Sequence, residues 1–233
     1  MRPHSDIIEF LTGCGVRNSA LDRLGQLEHL YRDLVAANQR LNLTRITVPE
    51  DFWTKHIADS LAIGQVLPEL LREAWCIADV GCGAGFPGLP LAWANPELQV
   101  TGIEPNTGKA EFARNEAAEL GLLNVTVLAR QAREAGRLPE HAGRYRAVLL
   151  RAVGKTDKMI RDCRQLLQRP GGMIVFYLTP AQVVETRKAA GREARKLALS
   201  VTESALLELP LKAGKRQLMV LTDIGCEQTS GRR

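Results

Sequence analysis

The stretch Asp79-Val80-Gly81-Cys82-Gly83-Ala84-Gly85-Phe86-Pro87-Gly88-Leu89-Pro90 constrains this chain more than any other part of it. The run Ala74-Trp75-Cys76-Ile77-Ala78-Asp79-Val80 ahead of it has the apolar character of a short buried strand, and Leu89, Leu91, Ala92 and Trp93 behind it resume as a short helix. Glycines at 81, 83 and 85 allow a tight turn in which backbone amides meet a ligand with no side chains in the way, and the helix start adds positive dipole character. Strand, turn and helix together read as a cradle for a nucleotide-type cofactor.

Two cofactor classes fit that cradle. Gly83-Ala84-Gly85-Phe86-Pro87-Gly88 matches the G-x-G-x-x-G spacing of dinucleotide enzymes, and Glu104 lies about 20 residues on, where a ribose-binding acid belongs. Asp79, a carboxylate at the strand end just before the first glycine, suits instead a cofactor that carries positive charge, such as the sulfonium of S-adenosylmethionine. Glu104 closes the next expected strand, where an acid can accept from both ribose hydroxyls of an adenosine. Arg130-Gln131-Ala132-Arg133-Glu134, at the end of the third, would sit beside the adenine. The bland alternative for both acids is a surface carboxylate at a strand end.

From residue 76 onward strand and helix alternate: strands at 99–103, 125–128, 145–150 and 173–178, helices at 109–120 and 155–167, and a strongly basic helix at 181–196. Such alternation predicts an α/β fold of the Rossmann-like class, a mostly parallel sheet with helices on both faces. Segments 199–209 and 217–221 read as a closing antiparallel pair. Ahead of the sheet, Ser5 caps a short helix over 5–11, and Asn18 or Ser19 caps a longer one with Leu21, Leu24, Leu27, Tyr31, Leu34 and Val35 on one face. Pro49 opens a third helix that brings His56, Asp59 and Ser60 within one turn, either as a salt-bridged surface or as lining of the cofactor mouth. The organisation predicted is an N-terminal helical extension over 1–72, the α/β domain over 73–224, and a disordered tail over 225–233.

A length of 233 residues with 45% apolar content suits one such domain with an appendage. The net charge of +5 and pI near 9.1 favour a polyanionic partner, while 5% aromatics argue against a platform that stacks single-stranded bases. Five dispersed cysteines without a C-x-x-C pair suggest reduced thiols in a cytoplasmic protein, and four scattered histidines suggest no metal site. No stretch reaches the roughly 18 apolar residues of a membrane span.

With these residues in view, the sequence resembles the bacterial small-subunit rRNA guanine-N7 methyltransferases, also called glucose-inhibited division protein B. The resemblance runs from about the first helix to Leu221 and rests on Asn42-Leu43-Thr44, His56-Ile57-Ala58-Asp59-Ser60, the glycine loop with its Phe86-Pro87-Gly88, Arg151-Ala152 and Arg216-Gln217-Leu218. Charged positions depart from the family pattern at Gly108-Lys109, Gln131-Ala132-Arg133, Tyr145-Arg146 and Leu178-Thr179-Pro180, while the cofactor loop is intact.

The resemblance implies methyl transfer from S-adenosylmethionine to N7 of a guanine in 16S rRNA, alone or in the small ribosomal subunit, leaving S-adenosylhomocysteine. It implies a cofactor site of Asp79, Gly81, Gly83, Gly85, Phe86, Glu104, Ala132, Arg133 and Arg151, with Asp79 near the amino group and Arg151 near the methionine end or the target base. Arg151 and Lys109 are the residues expected to anchor phosphate or base. Candidates for contact with the RNA backbone are Arg130, Arg133, Lys155, Lys158, Arg187, Lys188, Arg192, Lys212, Lys215 and Arg216. Two other readings stand beside this one: a methyltransferase of the same fold with another substrate, and an RNA-binding module that binds cofactor without turnover. The chain is expected to be a monomer free of membranes.

Overall fold

The computed structural model describes residues 2–152 and 154–225, so all of the expected tail except Gly225 lies outside the described residues. Strands β1 (Cys76–Val80), β2 (Gln99–Ile103), β3 (Val125–Leu128), β4 (Ala147–Arg151) and β5 (Met173–Leu178) are parallel, in the order β3-β2-β1-β4-β5. The closing pair takes a particular form: β8 (Lys215–Asp223) inserts antiparallel between β5 and β6 (Leu199–Glu203), and the short β7 (Leu207–Glu208) pairs only with β8.

Because successive strand residues face opposite sides, the parallel strands bury both faces. Ile77, Leu149, Val175 and Tyr177 pack under the N-terminal helices and under α6 (Gly88–Ala94). Ala78, Val148, Leu150 and Phe176 pack against α9 (Thr156–Cys163) and α10 (Pro180–Lys196). One apolar cluster therefore joins Ile7, Leu30 and Trp53 of the extension to the sheet.

Several boundaries differ from expectation. The first helix, α1 (Ser5–Gly13), is capped by His4, whose Nδ1 accepts from the Asp6 amide at 3.2 Å, instead of by Ser5. The longer helix divides into α2 (Asn18–Leu21) and α3 (Leu24–Leu41) because the backbone leaves helical angles at Arg23 (φ −104°, ψ 18°), whose guanidinium donates to the Trp93 carbonyl at 2.8 Å. The helix that Pro49 opens is α4 (Pro49–Phe52) followed by a π-helical turn at Trp53–Ala58 and α5 (Asp59–Leu61). No described helix is long and apolar enough to cross a membrane.

Candidate cofactor and substrate site

The order of the sheet reverses between β1 and β4, and in open α/β sheets ligands bind in the crevice that this reversal leaves beyond the carboxyl ends of the strands. A cavity of about 620 Å³ opens there, within the range of small-ligand sites. Of the residues expected from sequence to hold the cofactor or anchor phosphate or base, Gly81, Gly83, Phe86, Glu104, Lys109, Ala132 and Arg151 line it; Asp79, Gly85 and Arg133 do not.

Each of those three has a physical reason for its place. Asp79 lies on the β1 face turned toward α6 and is 1% exposed. Its Oδ2 accepts from the Gly88 amide at 2.7 Å, so it ties the helix start to the strand instead of projecting beside a cofactor ammonium. Only glycine permits that approach, since a Cβ on residue 88 would lie 2.9 Å from Asp79 Oδ2. Burial pushes the Asp79 carboxyl up to about 7, against the pull of the Gly88 amide and of Arg151. Gly85 faces Leu89, where a Cβ would meet Cδ1 at 2.3 Å. Arg133 is exposed on α8 (Ala132–Ala135), a turn begun by the Gln131 amide donating to Glu134 Oε2 at 3.2 Å. Helical rotation puts Ala132 inward and Arg133 outward.

Glu104, at the end of β2, is 7% exposed and accepts from the Gly83 amide at 3.0 Å and from the Asn106 amide at 2.9 Å. It thereby shapes the glycine loop while lining the cavity. Lys109 sits half-buried in the first turn of α7 (Thr107–Glu119), whose cap is the Asn106 side chain.

A network over 170 residues of sequence meets at the cavity. The His56 ring stacks on Phe86 with centroids 4.2 Å apart and 16° between planes. Arg151 Nη2 lies 2.8 Å from His56 Nδ1; a guanidinium can only donate, so Nδ1 accepts and the ring proton sits on Nε2, which donates to Thr44 Oγ1 at 3.0 Å. Arg151 Nη1 donates to Asp59 Oδ2 at 3.3 Å and to the Lys55 carbonyl at 3.2 Å. Asp59 Oδ1 accepts from Arg216 Nε at 2.9 Å. The π-helical turn carries both His56 and the Lys55 carbonyl into this arrangement, and such turns recur at functional sites.

The sequence offered His56 and Asp59 as a salt-bridged surface or as lining of the cofactor mouth, and Arg216 as an RNA contact. His56 lines the cavity and Asp59 is ion-paired, but the sequence did not bring Thr44, His56, Asp59 and Arg216 together, although each sits in one of the fragments that carry the resemblance. Several expected RNA-contacting cations are committed internally instead: Arg187 to Glu203 through two 2.7 Å bonds, Lys158 to Asp162, Lys215 to Glu208 at 2.7 Å, and Arg216 to Asp59.

Burial, and then the charge of Arg151, push His56 down to about 3, so its ring is neutral at physiological pH. Between about 3 and 6.5 the unfolded chain binds a proton that folded His56 refuses, so at this site stability falls as the pH is lowered through that window. Asp79 acts in the opposite sense: from 3.8 to about 7 the folded chain holds a proton that the unfolded chain releases, and stability there falls as pH rises. The difference between the native chain and His56→Gln, followed by urea unfolding at pH 7 and pH 4.5, isolates the first effect. The native chain should lose more stability on acidification than the variant; equal losses would mean that His56 titrates normally.

The family model described as rRNA small subunit methyltransferase G matches residues 23–217 of this chain. Ribosomal RNA small subunit methyltransferase G of Synechococcus elongatus is 44% identical over 154 residues, covering 65% of this chain and 62% of that protein; the chain thus spans less than two thirds of that relative's length. The protein of the same name from Deinococcus radiodurans is 38% identical over 196 residues, covering 84% of this chain and 76% of that one. Among solved structures, a SAM-dependent O-methyltransferase from Thermotoga maritima superposes with a TM-score of 0.56 at 21% identity, covering 86% of this chain and 72% of that one, a likeness of fold. With the family model matched along most of its length, the chain belongs to the rRNA small subunit methyltransferase G family.

Proposed function

We propose that this chain transfers a methyl group from S-adenosylmethionine to N7 of a guanine in 16S rRNA, acting as a monomer in the cytoplasm on the RNA or the small ribosomal subunit. The observation that carries the reading is one cavity lined both by Glu104, at the end of β2, and by Arg151, at the end of β4, beside a glycine loop whose backbone is open to a ligand. That lining fits the cofactor. Glu104 offers acceptors to ribose hydroxyls, Gly81 and Gly83 leave room for close backbone approach, Ala132 gives a small apolar wall for the adenine, and Arg151 offers a cation to the methionine carboxylate or to the target base.

When bound, the cofactor supplies an electrophilic methyl group, which the N7 lone pair of guanine can accept without losing a proton. The chain's own residues are suited to positioning and not to proton transfer. His56 is a poor base, pushed down to about 3, and both its ring nitrogens are engaged by Arg151 and Thr44. Asp59 accepts from Arg151 and holds that guanidinium in place at the cavity. Lys109 adds a second cation on the same cavity, suited to an RNA phosphate.

Incubation with methyl-labelled S-adenosylmethionine and small ribosomal subunits that lack the modification tests this reading. One methyl group per subunit, mapped to N7 of a single guanine, is expected. Label on a different base would favour another substrate within the same fold, and cofactor binding with no transfer would favour a binding module.

A further inference from the structure

A second cavity, of about 430 Å³, shares Arg151, Ala152 and Gly154 with the first. Arg151, fixed by His56 and Asp59, is therefore a partition between the two. The second cavity has an apolar part made by Leu150, Phe176 and Leu178, and a cationic part made by Arg45, Lys55 and Arg216. Lys55 is tied to Asp51 at 2.7 Å and Arg216 to Asp59 at 2.9 Å, whereas Arg45 is exposed and has no ion pair among the described residues.

The start of α10 supplies the polar wall. Gln182 Oε1 is committed to the Thr179 amide at 2.9 Å, and Thr186 Oγ1 donates to the Gln182 carbonyl at 2.7 Å. The side chain of Glu185, an exposed residue that also lines the cavity, makes no hydrogen bond or ion pair among the described residues. The contrast with its own helix is informative: Glu193 is held by Lys196 at 3.2 Å and Arg161 at 3.3 Å, and Arg187 is held by Glu203. An unpaired carboxylate on so basic a helix, facing a cavity with an apolar floor and an unpaired arginine, has the complement of a nucleotide with two adjacent N–H donors. Guanine carries such a pair, N1–H and the N2 amino group, on its Watson–Crick edge; adenine presents an acceptor at N1 instead.

We propose that the second cavity seats the target guanosine, with Glu185 accepting from N1–H and N2–H, Arg45 pairing with an adjoining phosphate, and N7 left free for the cofactor side of the Arg151 partition. The proposal deepens the methyl-transfer reading and rests on it. A carboxylate paired with two donors discriminates between bases roughly five- to hundredfold, and it does so without touching the atom to be methylated.

The test is calorimetry on the full chain saturated with S-adenosylhomocysteine, titrated separately with GMP and AMP. Saturable GMP binding, favoured over AMP by roughly tenfold or more, is expected. Glu185→Gln should bring that preference close to one, because its amide N–H₂ opposes a guanine donor, while Arg45→Ala should weaken GMP and AMP alike. S-adenosylhomocysteine affinity should be unchanged in both variants, which also reports that they fold. No saturable GMP binding, or a preference for GMP undiminished in Glu185→Gln, would overturn the proposal while leaving the cofactor reading standing. Failure of the native chain to bind S-adenosylhomocysteine would remove the reading beneath it.

Discussion

Replacing Asp59 with alanine lowers the stability of the folded chain by about 3–5 kcal/mol, the scale found when one partner of a buried ion pair is removed. The Asp59 side chain is 5% exposed, and the two guanidiniums it joins, Arg151 and Arg216, are 14% and 19% exposed. Without the carboxylate these two cations confront one another with little water to screen them, and the Arg151 contact with neutral His56 supplies no countercharge. Urea unfolding of Asp59→Ala measures the loss. Asp59→Ala combined with Arg216→Leu should recover part of it, because removing one cation relieves the repulsion, and the departure from additivity reports the coupling. A loss for Asp59→Ala below about 1 kcal/mol, the range of exposed ion pairs, would mean that water already screens the two arginines.

The second large effect is on ligand affinity. Gly83→Val is expected to weaken S-adenosylhomocysteine binding roughly hundredfold or more, equivalent to about 3 kcal/mol of lost contact. Residue 83 has φ +54° and lines the cavity, and a Cβ there would meet no protein atom nearer than the Gly81 carbonyl oxygen at 4.0 Å. The added isopropyl group therefore occupies space that the ligand needs. A β-branched residue at that angle also carries backbone strain of about 1–3 kcal/mol, so a modest drop in stability accompanies the loss. Gly88→Ala provides the contrast. Its Cβ would press on Asp79 Oδ2 at 2.9 Å and Val100 Cγ1 at 3.2 Å, inside the fold, so its primary effect should be on unfolding. Calorimetry together with circular dichroism separates the two. Unchanged affinity in a folded Gly83→Val would place the cofactor outside this cavity.

Parallel strands were legible because they are buried on both faces and read as short apolar runs. The expected bounds of β2, β3 and β5 agree with those observed. The glycine loop was legible for a related reason, since its conformation demands residue types that few other structures demand in that order. The orientation of Asp79 was implicit in the alternation Ile77, Ala78, Asp79, Val80, but a carboxylate at a strand end draws attention to charge, and its partner Gly88 offers only a backbone amide. α8 was hidden by its length of four residues, too short for any periodicity to show. The break at Arg23 depends on a carbonyl 70 positions away, and the Asp59 hub on residues from four separate segments, which local patterns cannot bring together. The resemblance did mark those segments, one by one, without indicating that they touch.

Asp59 and Arg216 are 157 positions apart, and Arg216 lies on the last strand of the described chain. During synthesis, then, the helix bearing Asp59 and the strand bearing Arg151 emerge long before Arg216, the second cation that Asp59 holds. A nascent polypeptide halted before residue 215 would already carry the glycine loop and Glu104, yet would hold the Arg151 guanidinium against an Asp59 with one oxygen short of its partner. The Asp59 centre is therefore completed late in translation, as β8 docks, and a chain trimmed of β8 should lose the arrangement around Arg151 before it loses the one between Glu104 and the glycine loop.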